Sequence, residues 1–232
     1  MSMAGLLPAR WRTGRDDSHD AEALMGVLET APIGPRPGGP AIAARIGTRQ
    51  VLPFLVAVKS LYRRIGRGRV VILDDGTLAG PDRTILAFHC GDPELLPRAA
   101  VPLGGFPPGG GWEPWLAAFD RRRGEYWLLI DPLAVATGPV PQIERALGGN
   151  RSLAAGTALV GLAAGGPGRP DPEALSEALG GASASATAAS HLLMAREAGP
   201  IELTEADSLA RFGTGGAAAH AAACRAAIAE MD

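Results

Sequence analysis

The sequence has little of what would announce a disulfide scaffold, a zinc site or a membrane span. It holds two cysteines, Cys90 and Cys224, far apart in the chain, which excludes a disulfide framework and zinc-type spacing and fits a reduced compartment. Lysine is nearly absent: Lys59 is the only one, and arginine supplies the remaining basic charge. No apolar run reaches the roughly 18 residues that a spanning helix needs, and residues 1–20 lack the apolar core of a signal peptide. The formal net charge of −2 leaves no basic footprint for nucleic acid or an anionic membrane. No Gly-x-Gly-x-x-Gly follows the early strand, which argues against a dinucleotide site. These absences predict a soluble, cytoplasmic chain with no transmembrane segment and no nucleic-acid partner.

What is present is enough to build a sizeable core, with 232 residues of which 47% are hydrophobic and 20% charged. Residues 1–40 read as an N-terminal extension and linker, dense in Pro and Gly at 30–40, with a short helix before that around Ala21, Leu24, Val27 and Leu28. A strand at 41–48 is followed by helical spacing over 49–66, where Pro53 fits the first turn and Gly66 and Gly68 end the helix. "RVVILD" (69–74) has the continuous apolar run of a strand covered on both faces. Helical spacing resumes at 80–89. Strand–helix–strand–helix order predicts an α/β core, residues 41–165, around a mostly parallel sheet flanked by helices. Further on, 101–114 reads as a long loop, 112–123 and 139–149 as helices, 125–131 as a strand and 151–165 as another strand. Residues 166–232 are rich in Ala and Gly and read as a helical C-terminal part of the same domain, including a helix from an N-cap at Thr204.

The chemistry gathers where apolar strands end. Asp74 and Asp75 close the run 70–73, and Asp131 closes the run before it. In open parallel α/β sheets ligands bind beyond the carboxyl ends of the strands. Carboxylates on that rim suit ribose hydroxyls, a base N–H or a cation, since magnesium commonly takes one or two carboxylates together with substrate phosphates. Asp-Asp-Gly is equally a turn signature, and Asp before Pro132 is a common turn starter.

The stretch "FLVAVKSLYRRIGRGRVVILDDGTLAGPDRTILAFH" (54–89) resembles one found in bacterial glycosyltransferases of the nucleotide-diphospho-sugar transferase type. Lys59-Ser60, Asp74-Asp75-Gly76-Thr77-Leu78, Asp82, Leu86 and His89 fall in the family's order. A second anchor, "GEYWLLIDPLAVATGPVPQIERALGGNRS" (124–152), resembles the family's segment of Tyr, strand, Asp-x-Asp, Gly-Pro, helix and Asn-Arg-Ser. The resemblance implies a GT-A fold, a Rossmann-like sandwich that binds a nucleotide-diphospho-sugar and transfers the sugar to an acceptor. By matched position Asp74 or Asp75 contacts the nucleoside. Asp131 is the first aspartate of the motif that holds a divalent metal, manganese or magnesium, on the donor's diphosphate. The third motif position is Leu133, so one metal ligand is missing and the metal site is weakened or lost. The other reading is a catalytically degenerate relative that binds a nucleotide or a protein.

Lys59 and Arg49 complete the candidate nucleotide-binding set. Lys59 either holds phosphate or packs near the site. Arg49 either reaches the donor or stands at a helix start as a surface charge. No catalytic base is assignable: Glu197, Glu202, Glu205 and Asp207 read as solvated helix-face charges, and His191 lacks a supporting motif for a metal ligand. His89 reads as a helix-end residue, Cys90 and Cys224 as buried thiols, and the clusters 63–69 and 121–123 as solvated basic helix ends.

Overall fold

A computed structural model describes residues 24–155, 158–179, 185–202, 208–211 and 217–231. The first strand, β1 (Ala41–Ile46), leads through a 3₁₀ turn at Thr48–Gln50 into α1 (Val51–Ile65). β2 (Arg69–Asp74), α2 (Gly80–Cys90) and β3 (Glu94–Pro97) follow. After a long Gly- and Pro-rich loop come α3 (Glu113–Arg121) and β4 (Trp127–Ile130). Then β5 (Ala134–Ala136), α4 (Pro141–Gly148), β6 (Leu153–Ala155) and β7 (Leu159–Leu162) lead to α5 (Pro172–Ala178) and α6 (Ala186–Ala195). The chain closes with β8 (Ile201–Glu202), β9 (Leu209–Arg211) and α7 (Ala217–Ala229).

Among the described residues the main sheet has seven strands, in the order β3-β2-β1-β4-β7-β6-β8. Strands β1 to β4 are parallel, and β7 runs antiparallel to both its neighbours. β5 and β9 form a separate antiparallel ribbon. Helices cover both faces, so the expected α/β sheet flanked by helices is present. α1, α2 and α7 pack with Ile42, Ala44, Ile46, Val70 and Ile72 on one face. α3, α5 and α6 pack with Ala41, Ala43, Val71 and Leu73 on the other. The period-2 alternation of β1 and β2 therefore divides them between two cores. Every residue of α1 from Val51 to Tyr62 is buried, because this helix lies between the sheet, α2, α7 and the ribbon.

Several elements differ from expectation. The single strand at 151–165 is two antiparallel strands, β6 and β7. The helix expected from Thr204 is replaced at Leu209–Arg211 by β9, which pairs with β5; Thr204, Glu205 and Asp207 lie outside the described residues. The short helix near residue 24 is a 3₁₀ turn at Gly26–Leu28, with Ala21 outside the described residues. Among the described residues no helix is long and apolar enough to cross a membrane.

Candidate functional site

β1 lies between β2 and β4, and the chain leaves it in one direction toward β2 and β3 and returns on its other side as β4. The carboxyl ends of β1 and β4 are therefore the topological switch point, where open α/β sheets form a ligand crevice. A groove of about 190 Å³ lies there, lined among others by Arg45, Trp115, Asp131, Thr187 and Ser190. This volume is below the roughly 300–1,000 Å³ of a pocket enclosing a whole small ligand, so the groove suits one part of a larger molecule laid along the rim.

The two adjacent aspartates have different environments. Asp74 is buried. Its Oδ1 accepts from the Gly76 N–H at 2.7 Å and the Leu78 N–H at 3.4 Å, and its Oδ2 pairs with Arg83 at 2.7 Å. Gly76 makes this turn with φ of 99°, a conformation costly for side chains. The turn reading of Asp-Asp-Gly thus accounts for Asp74. Asp75 is half-exposed, and its Oδ1 accepts from the Thr77 N–H at 2.9 Å and hydroxyl at 2.7 Å. Its Oδ2 has no hydrogen-bond partner among the described residues. Gly47, at the end of β1, admits this carboxylate: a Cβ there would collide with Asp75 Oδ2 and Thr77 Oγ1. Thr48 locks the β1 and β2 ends together, its hydroxyl donating to Asp82 Oδ2 at 2.8 Å while its N–H donates to Thr77 Oγ1 at 3.0 Å. Asp82 also accepts the Ala79 N–H at 2.9 Å at the start of α2.

Asp131 follows β4 directly, and its Oδ1 accepts the Leu133 N–H at 2.8 Å. Asp75 and Asp131 stand on strands either side of β1, and the pairing register places Asp131 level with Leu73, two residues short of Asp75. The donors around Asp131 do not fit a resident divalent metal. It is the one carboxylate lining the groove among the described residues, one of its oxygens is engaged by backbone, and the cationic Arg45 shares the lining. Among the described residues no three His, Cys, Asp or Glu side chains gather as metal ligands do.

Arg45 and Glu113 have no counterpart in the sequence reading. Arg45 shares the face of Ala41 and Ala43, where the inward alternation of β1 ends in a charge. Glu113, at the start of α3, is buried and pairs with Arg98 at 2.8 Å and with Arg45 at 3.6 Å. Neither carboxylate oxygen has an aligned hydrogen bond, so the two guanidinium groups act on it as charges. The available signal was an arginine inside the apolar run "AIAARI", at an inward position.

No family model matches this chain, and no curated protein matches its sequence.

Of the expected site residues Asp131 lines the groove, whereas Asp74, Asp75, Arg49 and Lys59 do not. Arg49 is exposed in the 3₁₀ turn before α1. Lys59 is about two turns further along α1 and buried. Its Nζ donates to the Thr30 hydroxyl, to Thr30 O at 3.2 Å and Val27 O at 3.5 Å, and faces His89 Nδ1 at 3.2 Å. Burial lowers the Lys59 pKa to about 8, and burial with the Lys59 charge lowers that of His89 to about 4. His89 lies in the last turn of α2, as the helix-end reading expects, and is there a buried partner of Lys59. Cys90 is buried beside them, and burial raises its thiol to about 12. Glu197, expected in solvent, is buried in a pair with Arg122 at 2.8 Å, each side chain 1–2% exposed, and also accepts from Ser152 at 2.6 Å. Arg122 correspondingly corrects the solvated reading of residues 121–123. His191 is exposed on α6, and the Glu202 and Glu205 side chains lie outside the described residues.

Proposed function

We propose that this chain is a glycosyltransferase-like protein of GT-A architecture that binds a nucleotide-diphospho-sugar along the rim of β2, β1 and β4. The observation that carries this reading is topological. The two sequence anchors that resemble sugar-nucleotide transferases supply the strands on either side of β1, and the groove at the carboxyl ends of β1 and β4 is lined by Asp131 of the second anchor. Asp75, with one oxygen uncommitted, grips the nucleoside, and the diphosphate then extends across β1 toward Asp131. Asp74 shapes the turn that presents Asp75. Sugar transfer at this site breaks the bond between the anomeric carbon and the phosphate oxygen and gives the sugar to an acceptor hydroxyl, which loses its proton.

Calorimetric titration with a panel of nucleotide-diphospho-sugars tests the reading. Saturable binding of at least one donor, competed by its own nucleoside diphosphate and lost in Asp75→Ala, is the expected result. Binding that survives Asp75→Ala removes the assignment.

A second reading, a relative that binds the nucleotide without transferring sugar, is favoured by Leu133 and by the donor set around Asp131. Leu133→Asp separates the two. If it creates manganese-dependent release of nucleoside diphosphate where the natural chain has none, the chain is a binding domain that has lost its chemistry.

A further inference from the structure

The switch-point groove presents a guanidinium where the sequence motif implies a metal. Arg45 stands at the carboxyl end of β1, between the ends of β2 and β4, and lines the groove together with Asp131. Its side chain is 37% exposed, whereas its partner Glu113 is 2% exposed. Glu113 also holds Arg98, at the shorter distance of 2.8 Å against 3.6 Å. One carboxylate shared by two guanidinium groups leaves cationic charge to spare, and Arg45 is the member that faces the groove. A guanidinium offers a planar fork of donors that matches phosphate oxygens, and it needs no coordination shell.

We propose that Arg45, positioned by Glu113, receives the diphosphate of the ligand in this groove and makes its binding independent of a divalent metal. The inference rests on the reading of the rim as a nucleotide-diphosphate site. It assigns Asp131 a different part from the one its motif position implies: a carboxylate beside the phosphates, which opposes them electrostatically and serves as a hydroxyl acceptor.

The sign of one substitution distinguishes the two roles. If Asp131 anchors a metal, Asp131→Asn weakens diphosphate binding. If Arg45 is the cation, Asp131→Asn removes a nearby negative charge and leaves binding unchanged or tighter. The experiment is calorimetric titration of the full chain with inorganic pyrophosphate and with UDP, GDP, ADP and CDP, in EDTA and again in manganese. The variants are Arg45→Ala, Arg45→Lys and Asp131→Asn, with circular dichroism to check that each is folded. The expected result is binding in EDTA that manganese does not improve. It weakens roughly tenfold or more in Arg45→Ala, is partly retained in Arg45→Lys, and is not weakened in Asp131→Asn. Should Arg45→Ala fail to fold, Asp131→Asn and the EDTA comparison decide the matter alone. Binding that needs manganese, or that falls in Asp131→Asn, or that a folded Arg45→Ala leaves unchanged, overturns the role of Arg45 and leaves the nucleotide reading standing. No binding of any of these probes in either medium overturns both.

Discussion

Two neighbouring aspartates at one strand end do different work, and the difference lies in where their oxygens go. Asp74 uses both oxygens inside the protein, on two backbone N–H groups and Arg83. Removing it takes the acceptor from these partly buried donors, so Asp74→Ala is expected to cost about 1–3 kcal/mol in urea denaturation. Asp75 engages only Thr77, at the surface. Asp75→Ala is therefore expected to cost less than about 1 kcal/mol while abolishing nucleotide binding. Equal stability losses in the two variants would contradict this division. Gly47 belongs to the same device, since it leaves the space the Asp75 carboxylate occupies. Gly47→Ala is expected to displace that carboxylate at a cost of about 1–3 kcal/mol, with weaker ligand binding in the same titration. The sequence already shows Asp-Asp-Gly as both turn and site, but the split between its two carboxylates depends on Arg83 and on the end of β1, which no local pattern displays.

At the scale of elements, the groove has one wall from β1 and β4 and another from α3 and α6, whose Thr187 and Ser190 line it. The segment that follows α6 is fixed by Glu197, buried against Arg122 beyond the end of α3 and against Ser152 before β6. Breaking such a pair leaves an uncompensated buried charge, so Glu197→Ala is expected to lower stability by about 3–5 kcal/mol. A loss within 0.5 kcal/mol, the range of ordinary surface substitutions, would show the pair to be dispensable. The strongly patterned elements, β1, α1, β2, α2 and β4, are legible from apolar spacing, because each buries enough surface to impose a period on its residues. β3, β5, β8 and β9 are two to four residues long and lack the unbroken run of large apolar residues that marks the equally short β4, so pairing partners decide them. Arg122 and Glu197 are 75 residues apart, so each reads as a surface charge until the fold brings them together. Arg45 is illegible locally for a related reason: a single charge in an alanine-rich strand acquires meaning only once the strand order makes that strand end a crevice.

For the whole molecule, pH and ligand are the two levers. Burial, and after it the charge of the neighbouring Lys59 ammonium, lowers the His89 pKa from 6.5 to about 4. Between those values the unfolded chain binds a proton that the native chain refuses, so stability falls as pH drops from 6.5 toward 4. Lys59 obeys the same linkage at higher pH. With a native pKa of about 8 against 10.5, its burial penalty is fully present below 8 and is relieved as pH rises through that interval, so stability increases there. Urea midpoints measured across pH for the natural chain and for His89→Gln isolate the acid limb. The natural chain is expected to lose on the order of 2 kcal/mol more than the variant between pH 6.5 and 4.5, and parallel curves would contradict the buried neutral histidine. Ligand acts through the rim instead. The most direct measurement is thermal denaturation with a panel of nucleoside diphosphates, run side by side on the natural chain and on Asp75→Ala. A ligand at 100 times its dissociation constant adds about 2.7 kcal/mol, roughly 5–10 °C for a chain of this size. A shift of that size with one nucleotide, absent in Asp75→Ala, is the predicted result; no shift with any nucleotide, or the same shift in both proteins, would contradict a nucleotide held at the end of β2.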